Sequence, residues 1–448
     1  MFVPLLLLYA QAQGDFTTKL QRAQEDIAAG RFQEAIERYS GLAAAAPGDP
    51  RPLVGLGTAQ LGAQHTTLAI QALRKALALD SGRLEVRLLL AQALSGAGRY
   101  EQAAAEYGKV TGGQPANAKA WYALGRAWVA AASEAYGMMI GKVQPDSAYA
   151  LAVRGDGLMR LLQYPHAVTA FREALSKEPS LVSVRTALAA IYRKLGCEEC
   201  ATREEAAIAA LDCGNHKLEC DAGAGRYEDV AAATRNQQTA GALYWRGQAF
   251  TAFASEAFRR LGQLPPSPEL HRYRAGLHWE ADRRMEMVEE LREASKLAPE
   301  DREVRRDLAT ALGAAGFYDE AYEIARNLLR GEPGSAPMNA LAGNALLSSE
   351  RAEEAIPFFR KSVARDPHNL FVQWSLGRAY MQVGEAKLAL PWLKAAAPID
   401  TDGTLHHTLS QAYRQTGQPE LASRALAKSQ ELSVKAAAPP PQLDIRPR

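Results

Sequence analysis

The sequence is short of the residues that build sheets, and of the motifs that build most enzymes. Its 448 residues include four cysteines, 7% aromatics and few β-branched side chains. Strands draw on β-branched and aromatic residues, so a sheet-rich fold is excluded. Charge of one sign is lacking too: Lys+Arg is 52 against Asp+Glu 50, a net +2. Such balance gives no field to hold nucleic acid or an anionic membrane surface. Beyond the N-terminus no apolar run approaches the ~20 residues a membrane span needs. No G-x-x-x-x-G-K-[ST], G-x-G-x-x-G, G-x-S-x-G or H-E-x-x-H occurs in a supporting context, and no C-x-x-C-H for covalent haem. His271 and His278 lie seven apart, and His406-His407 stand together, each without a catalytic partner set. Outside the four cysteines, the sequence therefore predicts no enzyme, cofactor or metal.

What is abundant is Ala, Leu, Arg, Glu and Gln, the good helix formers. They recur on a beat. Ala35, Ala69 and Ala103 are 34 residues apart, Ala167 and Ala201 repeat the step, and Ala321, Ala355 and Ala389 repeat it again. Twelve residues before each beat stands a small residue: Gly57, Ala91, Gly155, Ala189, Ala309, Gly343 or Gly377. Four residues after it stands an aromatic or Leu, as at Tyr39, Leu73, Tyr107, Phe171 and Leu393. Two short helices approach closely only where small side chains meet at their crossing. A glycine between them (Gly30, Gly98, Gly196, Gly316, Gly384, Gly417) ends the first helix at a position needing positive φ. A proline such as Pro47, Pro115, Pro299 or Pro367 closes the unit. One pair cannot bury its apolar face alone, so stacked neighbours complete the core.

The pattern resembles the tetratricopeptide-repeat family over residues 16–432. Ala120-Trp121-Tyr122-Ala123-Leu124-Gly125-Arg126-Ala127-Trp128 and Gln373-Trp374-Ser375-Leu376-Gly377-Arg378-Ala379-Tyr380 carry its first-helix signature. Tyr100-Glu101-Gln102-Ala103 and Tyr318-Asp319-Glu320-Ala321 carry its second. The resemblance implies an all-α, right-handed superhelical solenoid of about eleven helix pairs, whose first helices line a concave face. It also implies a protein or peptide partner there, met by Tyr122, Arg126, Tyr149, Asp156, Arg272, Trp279, Arg306, Asn344, Phe371, Trp374 and Arg378. Arg and aromatic residues commonly dominate interface energy. The family's carboxylate clamp is absent, because its Lys and Asn set does not recur.

The beat fails at 118–147 and 240–267, and the failures resemble each other at an offset of 122. Gly125-Arg126-Ala127-Trp128 aligns with Gly247-Gln248-Ala249-Phe250, and Ser133-Glu134-Ala135-Tyr136 with Ser255-Glu256-Ala257-Phe258. Both units lack the tight Gly turn, so their helices are expected to run on. The expected organisation is a repeat block over 13–239, a second over 240–433, and an irregular cysteine loop over 196–222. That loop holds Cys197, Cys200, Cys213 and Cys220. Two disulfides, a zinc site of C-x2-C-x12-C-x6-C form, and a redox C-x-x-C all suit these residues; spacing alone leaves the connectivity open. Residues 1–12, an apolar run ending in Ala-x-Ala, have the shape of an atypical secretory leader without a basic start. Export would place the chain in the periplasm or outside the cell, with an envelope complex as its setting; an uncleaved start would leave it cytoplasmic. Residues 434–448, with Pro439-Pro440-Pro441, are expected to form a disordered tail.

Overall fold

A computed structural model of the chain describes residues 3–437, with side chains from Asp15 onward. The leader's side chains and residues 438–448, including the Pro439–Pro441 run, lie outside the described residues.

Among the described residues the chain forms twenty-four α-helices and no strand. The first are α1 (Val3–Ala28), α2 (Phe32–Ala45), α3 (Pro50–Gly62), α4 (Thr66–Leu79), α5 (Leu84–Gly96) and α6 (Tyr100–Gly113). The long α7 (Ala118–Ile140) precedes α8 (Ala148–Arg160), α9 (Tyr164–Lys177), α10 (Val182–Lys194), α11 (Glu198–Ala209), α12 (Lys217–Gly223) and α13 (Tyr227–Thr234). A second long helix, α14 (Ala240–Leu261), leads to α15 (Pro268–Glu280), α16 (Arg284–Leu297), α17 (Arg302–Ala314), α18 (Tyr318–Gly331) and α19 (Ala336–Ser348). The chain ends with α20 (Ala352–Arg365), α21 (Leu370–Gln382), α22 (Ala386–Ala396), α23 (Thr404–Gln415) and α24 (Pro419–Ala436). Helix α24 thus carries Val434 to Ala436, which the sequence reading assigned to the tail.

Local chemistry sets these boundaries. Asp49, Asn117, Thr239, Ser267, Asp301 and Asn369 each accept a hydrogen bond from a backbone N–H of the helix they cap. All six glycines expected between paired helices have φ between 72° and 89°. Where the turn lacks glycine, Gln64, Leu162, Asp282 and Glu350 are held at φ between 52° and 62°. The closing prolines do more than end a helix. Their carbonyls accept hydrogen bonds from a side chain six residues on: Pro115 from Trp121, Pro179 from Arg185, Pro333 from Asn339, Pro367 from Gln373. Each bond satisfies a carbonyl of the connecting loop and ties one pair to the next.

Within an ordinary pair, the small residue of the first helix receives a large one from the second, sixteen positions later. A Cβ on Gly57 would lie 2.6 Å from Leu73, one on Gly343 2.7 Å from Phe359, and one on Gly377 2.6 Å from Leu393. Those partners are fully buried. The described residues form two compact units, the first made of 3–158 and 167–265, the second of 159–166 and 266–437. In the first, Leu73, Leu90, Leu94 and Tyr107 lie in one core shared by α4 to α7. In the second, successive cores centre on Leu291 and Leu312, on Phe359 and Leu376, and on Leu393 and Leu409.

Candidate functional site

The two long helices are where the expected irregular units fall, and they have 23 and 22 residues. They pack on each other more extensively than any other helix pair among the described residues. The packing is antiparallel and nearly two-fold. A Cβ on Gly125 of α7 would lie 2.6 Å from Phe258 of α14, while a Cβ on Gly247 of α14 would lie 2.5 Å from Tyr136 of α7. The rings repeat the exchange: Tyr122 lies 6.4 Å from Phe258, and Tyr244 lies 6.3 Å from Tyr136. At the centre Trp128 stacks on its own counterpart, Phe250, at 5.0 Å. Phe253 adds a second ring against Trp128 at 5.1 Å.

The reason lies in the spacing. An ordinary unit places its ring sixteen residues after its small residue, across a turn. In α7 and α14 the ring follows after eleven, at Tyr136 and Phe258, with no turn between. A straight helix cannot fold its second half onto its first. Each long helix therefore gives its ring to the other's glycine. Sequence reasoning found the lost turn and the likeness of the two units but missed this pairing; the shared eleven-residue spacing was the available signal.

Two of the residues expected to meet a partner lie beside this joint. Tyr149 of α8 packs 5.3 Å from the buried Tyr244, and burial, then the charges of Glu178 and Glu219, raises its phenol pKa. Asp156 lies close enough to raise the Tyr244 phenol, already pushed well above its ordinary value by burial. The Tyr244 hydroxyl shares a 2.6 Å hydrogen bond with Ser183 of α10. Buried Arg246 closes the approach to α14 by donating to the carbonyls of Arg235 at 2.9 Å and Gln237 at 3.2 Å. Tyr122 is half-buried, with the exposed Arg126 guanidinium 5.8 Å above its ring.

The remaining expected residues all belong to the second unit. Phe371 is 66% exposed and Trp279 57%, which is unusual for rings of that size. Arg306, Asn344 and Arg378 are exposed, and the Arg378 guanidinium stands 5.5 Å over the half-buried Trp374 ring. The Trp374 indole N–H is closed to solvent and has no acceptor. Arg272 differs from these. Its side chain is largely buried, donating to Asp307 at 2.7 Å and pairing with Glu303 at 3.1 Å, so it ties α15 to α17.

The four cysteines form two separate close pairs. Cys197 caps α11, where its sulfur accepts from the Cys200 N–H at 3.3 Å. The Cα atoms of Cys197 and Cys200 are 5.3 Å apart, those of Cys213 and Cys220 5.7 Å, with both sulfur pairs at bonding distance. Among the described residues no three Cys, His, Asp or Glu side chains converge as a metal site would require.

Comparison with known families matches residues 61–127 and 346–412, and separately 20–83 and 306–369, to the tetratricopeptide repeat. The chain belongs to the tetratricopeptide-repeat superfamily. The two stretches matched first end inside α7 and α23. Comparison with curated proteins gives no match. Among solved structures the chain is similar to MamA MSR-1 in a C2 form, at 24% identity over 38% of this chain and 98% of that one, TM-score 0.33. It is also similar to MamA of Desulfovibrio magneticus RS-1, at 20% identity over 38% and 97%, TM-score 0.34. A third is TTC0263, a thermophilic tetratricopeptide-repeat protein of Thermus thermophilus, at 19% over 38% and 92%, TM-score 0.32. Tetratricopeptide-repeat arrays are typically protein-interaction modules, and no described helix of this one is long and apolar enough to cross a membrane.

Proposed function

We propose that this chain is a non-catalytic scaffold that takes an extended peptide, or a segment of a partner protein, along the first helices of its second unit. The observation that carries the reading is the open aromatic and cationic set on α21: Phe371, Trp374 and Arg378, with Phe371 left 66% exposed. Trp279, Arg306 and Asn344 extend the same register onto α15, α17 and α19. Rigid rings bury large area at small entropic cost, and a guanidinium fork bonds carboxylates and backbone carbonyls. Tyr122 and Arg126 offer a second such pair on the first unit. We read the array as two repeat blocks, 13–239 and 240–433, that arose by duplication.

Crosslinking and pull-down from native envelopes, comparing wild type with Trp374→Ala plus Arg378→Ala, tests the face. Loss of a specific partner at least about tenfold is expected, because a hot-spot residue contributes about 2 kcal/mol or more. Equal recovery refutes the assignment. We read the setting as exported, with each close cysteine pair oxidised to a disulfide that holds an irregular loop. Thiol titration with metal analysis on purified protein should find two disulfides and no zinc; four free thiols holding zinc would reverse that reading and move the chain to a reducing compartment.

A further inference from the structure

We propose that the α7–α14 joint is a self-exchange interface, through which two copies of this chain pair by trading α1–α7. The argument starts from the symmetry of the contact. Gly125 with Phe258 and Gly247 with Tyr136 are one interaction made twice, and so are the pairs Tyr122–Phe258 and Tyr244–Tyr136. Trp128 on Phe250 joins equivalent positions on the dyad. Even the caps correspond, Asn117 accepting from the Ala120 N–H and Thr239 from the Ala242 N–H. Two-fold contact between copies of one sequence is the signature of an isologous dimer interface. Here the two copies reside in one chain.

Neither long helix can complete itself, because its ring and its glycine lie on one straight rod. The glycine of α7 needs a ring supplied by an α14, but nothing in the contact specifies that both come from one molecule. Only the tether decides. Residues 141–239 connect the two helices, and α8, α10, α12 and α13 stay with α14 through Tyr149, Ser183 and direct helix packing. The flexible link is therefore the loop Gly141 to Ser147, which contains Pro145 and is anchored to α9 by Asp146 with Lys177 at 3.0 Å. Opening there frees α1–α7 to dock on the α14 of a second copy and rebuild every contact of the joint.

The joint's contacts are the same in both arrangements, so they differ in chain entropy and in strain at one loop. A tether holds its ends at an effective concentration on the order of millimolar. The closed monomer thus prevails in dilute solution, and exchange appears when chains refold together at comparable concentration. The exchanged dimer would carry two copies of each open face and so bind repeated partners with avidity.

The first arm of the test needs no variant. Full-length chain is unfolded in denaturant with its cysteine pairs left oxidised, then refolded at about 5 µM, far below the tether's effective concentration, and at about 500 µM, close to it. Light scattering after dilution should give monomer from the first and a persistent dimer from the second, its fraction raised at least about tenfold. Tagged and untagged chains should co-purify when refolded together and not when mixed after separate refolding. A second arm closes the joint covalently with Trp128→Cys plus Phe250→Cys, and this chain should stay monomeric in both conditions. Monomer throughout for wild type overturns the proposal. So does a dimer that forms on simple mixing, or one the covalent closure leaves unchanged.

Discussion

The pair α21–α22 and the joint α7–α14 use the same parts in different chain arrangements. In α21–α22, Gly377 meets Leu393 sixteen residues later, across a turn at Gly384 with φ 83°. In the joint, Gly125 meets Phe258 on a helix that the chain reaches only after six others. The interaction is unchanged, a side chain filling the space over a residue that has none. What differs is the loss of a turn, which turns a local contact into a long-range one. Local pairs form early and cheaply, whereas the joint must await closure of a long loop. We therefore expect the array to unfold as modules at its ends and as one cooperative unit in its middle.

The comparison can be broken most severely at the exchanged glycines. Gly125→Leu and Gly247→Leu should each destabilise the first unit by about 3 kcal/mol, since the half-buried rings of Phe258 and Tyr136 already occupy the space the new side chain would take. Gly137→Ala, in the same helix α7 but with open space at its Cβ, should instead raise stability by about 0.5–1 kcal/mol. Denaturant midpoints decide this; equal losses at Gly125 and Gly137 would show that the joint is not a packed interface.

A smaller effect separates the two regions by acid. Burial pushes the Asp400 carboxyl up, but hydrogen bonds from the His406 N–H at 2.8 Å, its imidazole at 2.6 Å and the Gly403 N–H at 2.9 Å leave its pKa below the ordinary value. A depressed carboxyl stabilises the fold above its unfolded pKa, and that stability is lost as pH falls through the lowered one. Acid below about pH 4 should therefore open the start of α23 first. Asp400→Asn should cost about 1–2 kcal/mol at neutral pH and remove this acid step. On α14 the exposed Glu256 is held down to about 2 by Arg259 first and then Arg260, and the rings of the joint need no ionised partner. Hydrogen exchange followed against pH should show α23 losing protection before α7 and α14; the reverse order would contradict this account.

Another small effect lies in the turns the joint lacks. Leu162 occupies the left-handed turn of α8–α9 at φ 57°, where Gly316 and Gly384 serve other pairs. Leu162→Gly should stabilise the fold by about 1 kcal/mol by relieving the Cβ clash, a rise in thermal midpoint of a few degrees at most. No gain there would mean that the exposed Leu162 side chain makes a compensating contact.

The residues themselves dictated the helix pairs. The 34-residue beat, the glycine turns and the closing prolines act within a few residues of chain, so their outcome was legible before any fold was known. The same holds for the lost turn: eleven residues in place of sixteen fixes α7 and α14 as straight rods. The cysteine neighbours were legible only as options, because three connectivities fit four thiols until the loop has a shape. Among the expected partner residues, Arg272 carries no mark in the sequence that separates it from Arg306, yet Asp307 and Glu303 bury it while Arg306 stays open. What only the tertiary structure decided is which helix completes which. Gly125 and Phe258 are strangers along the chain, and a glycine can specify that a ring must fill it without specifying whose. That choice is made by loop closure, a property of the folded chain rather than of any segment.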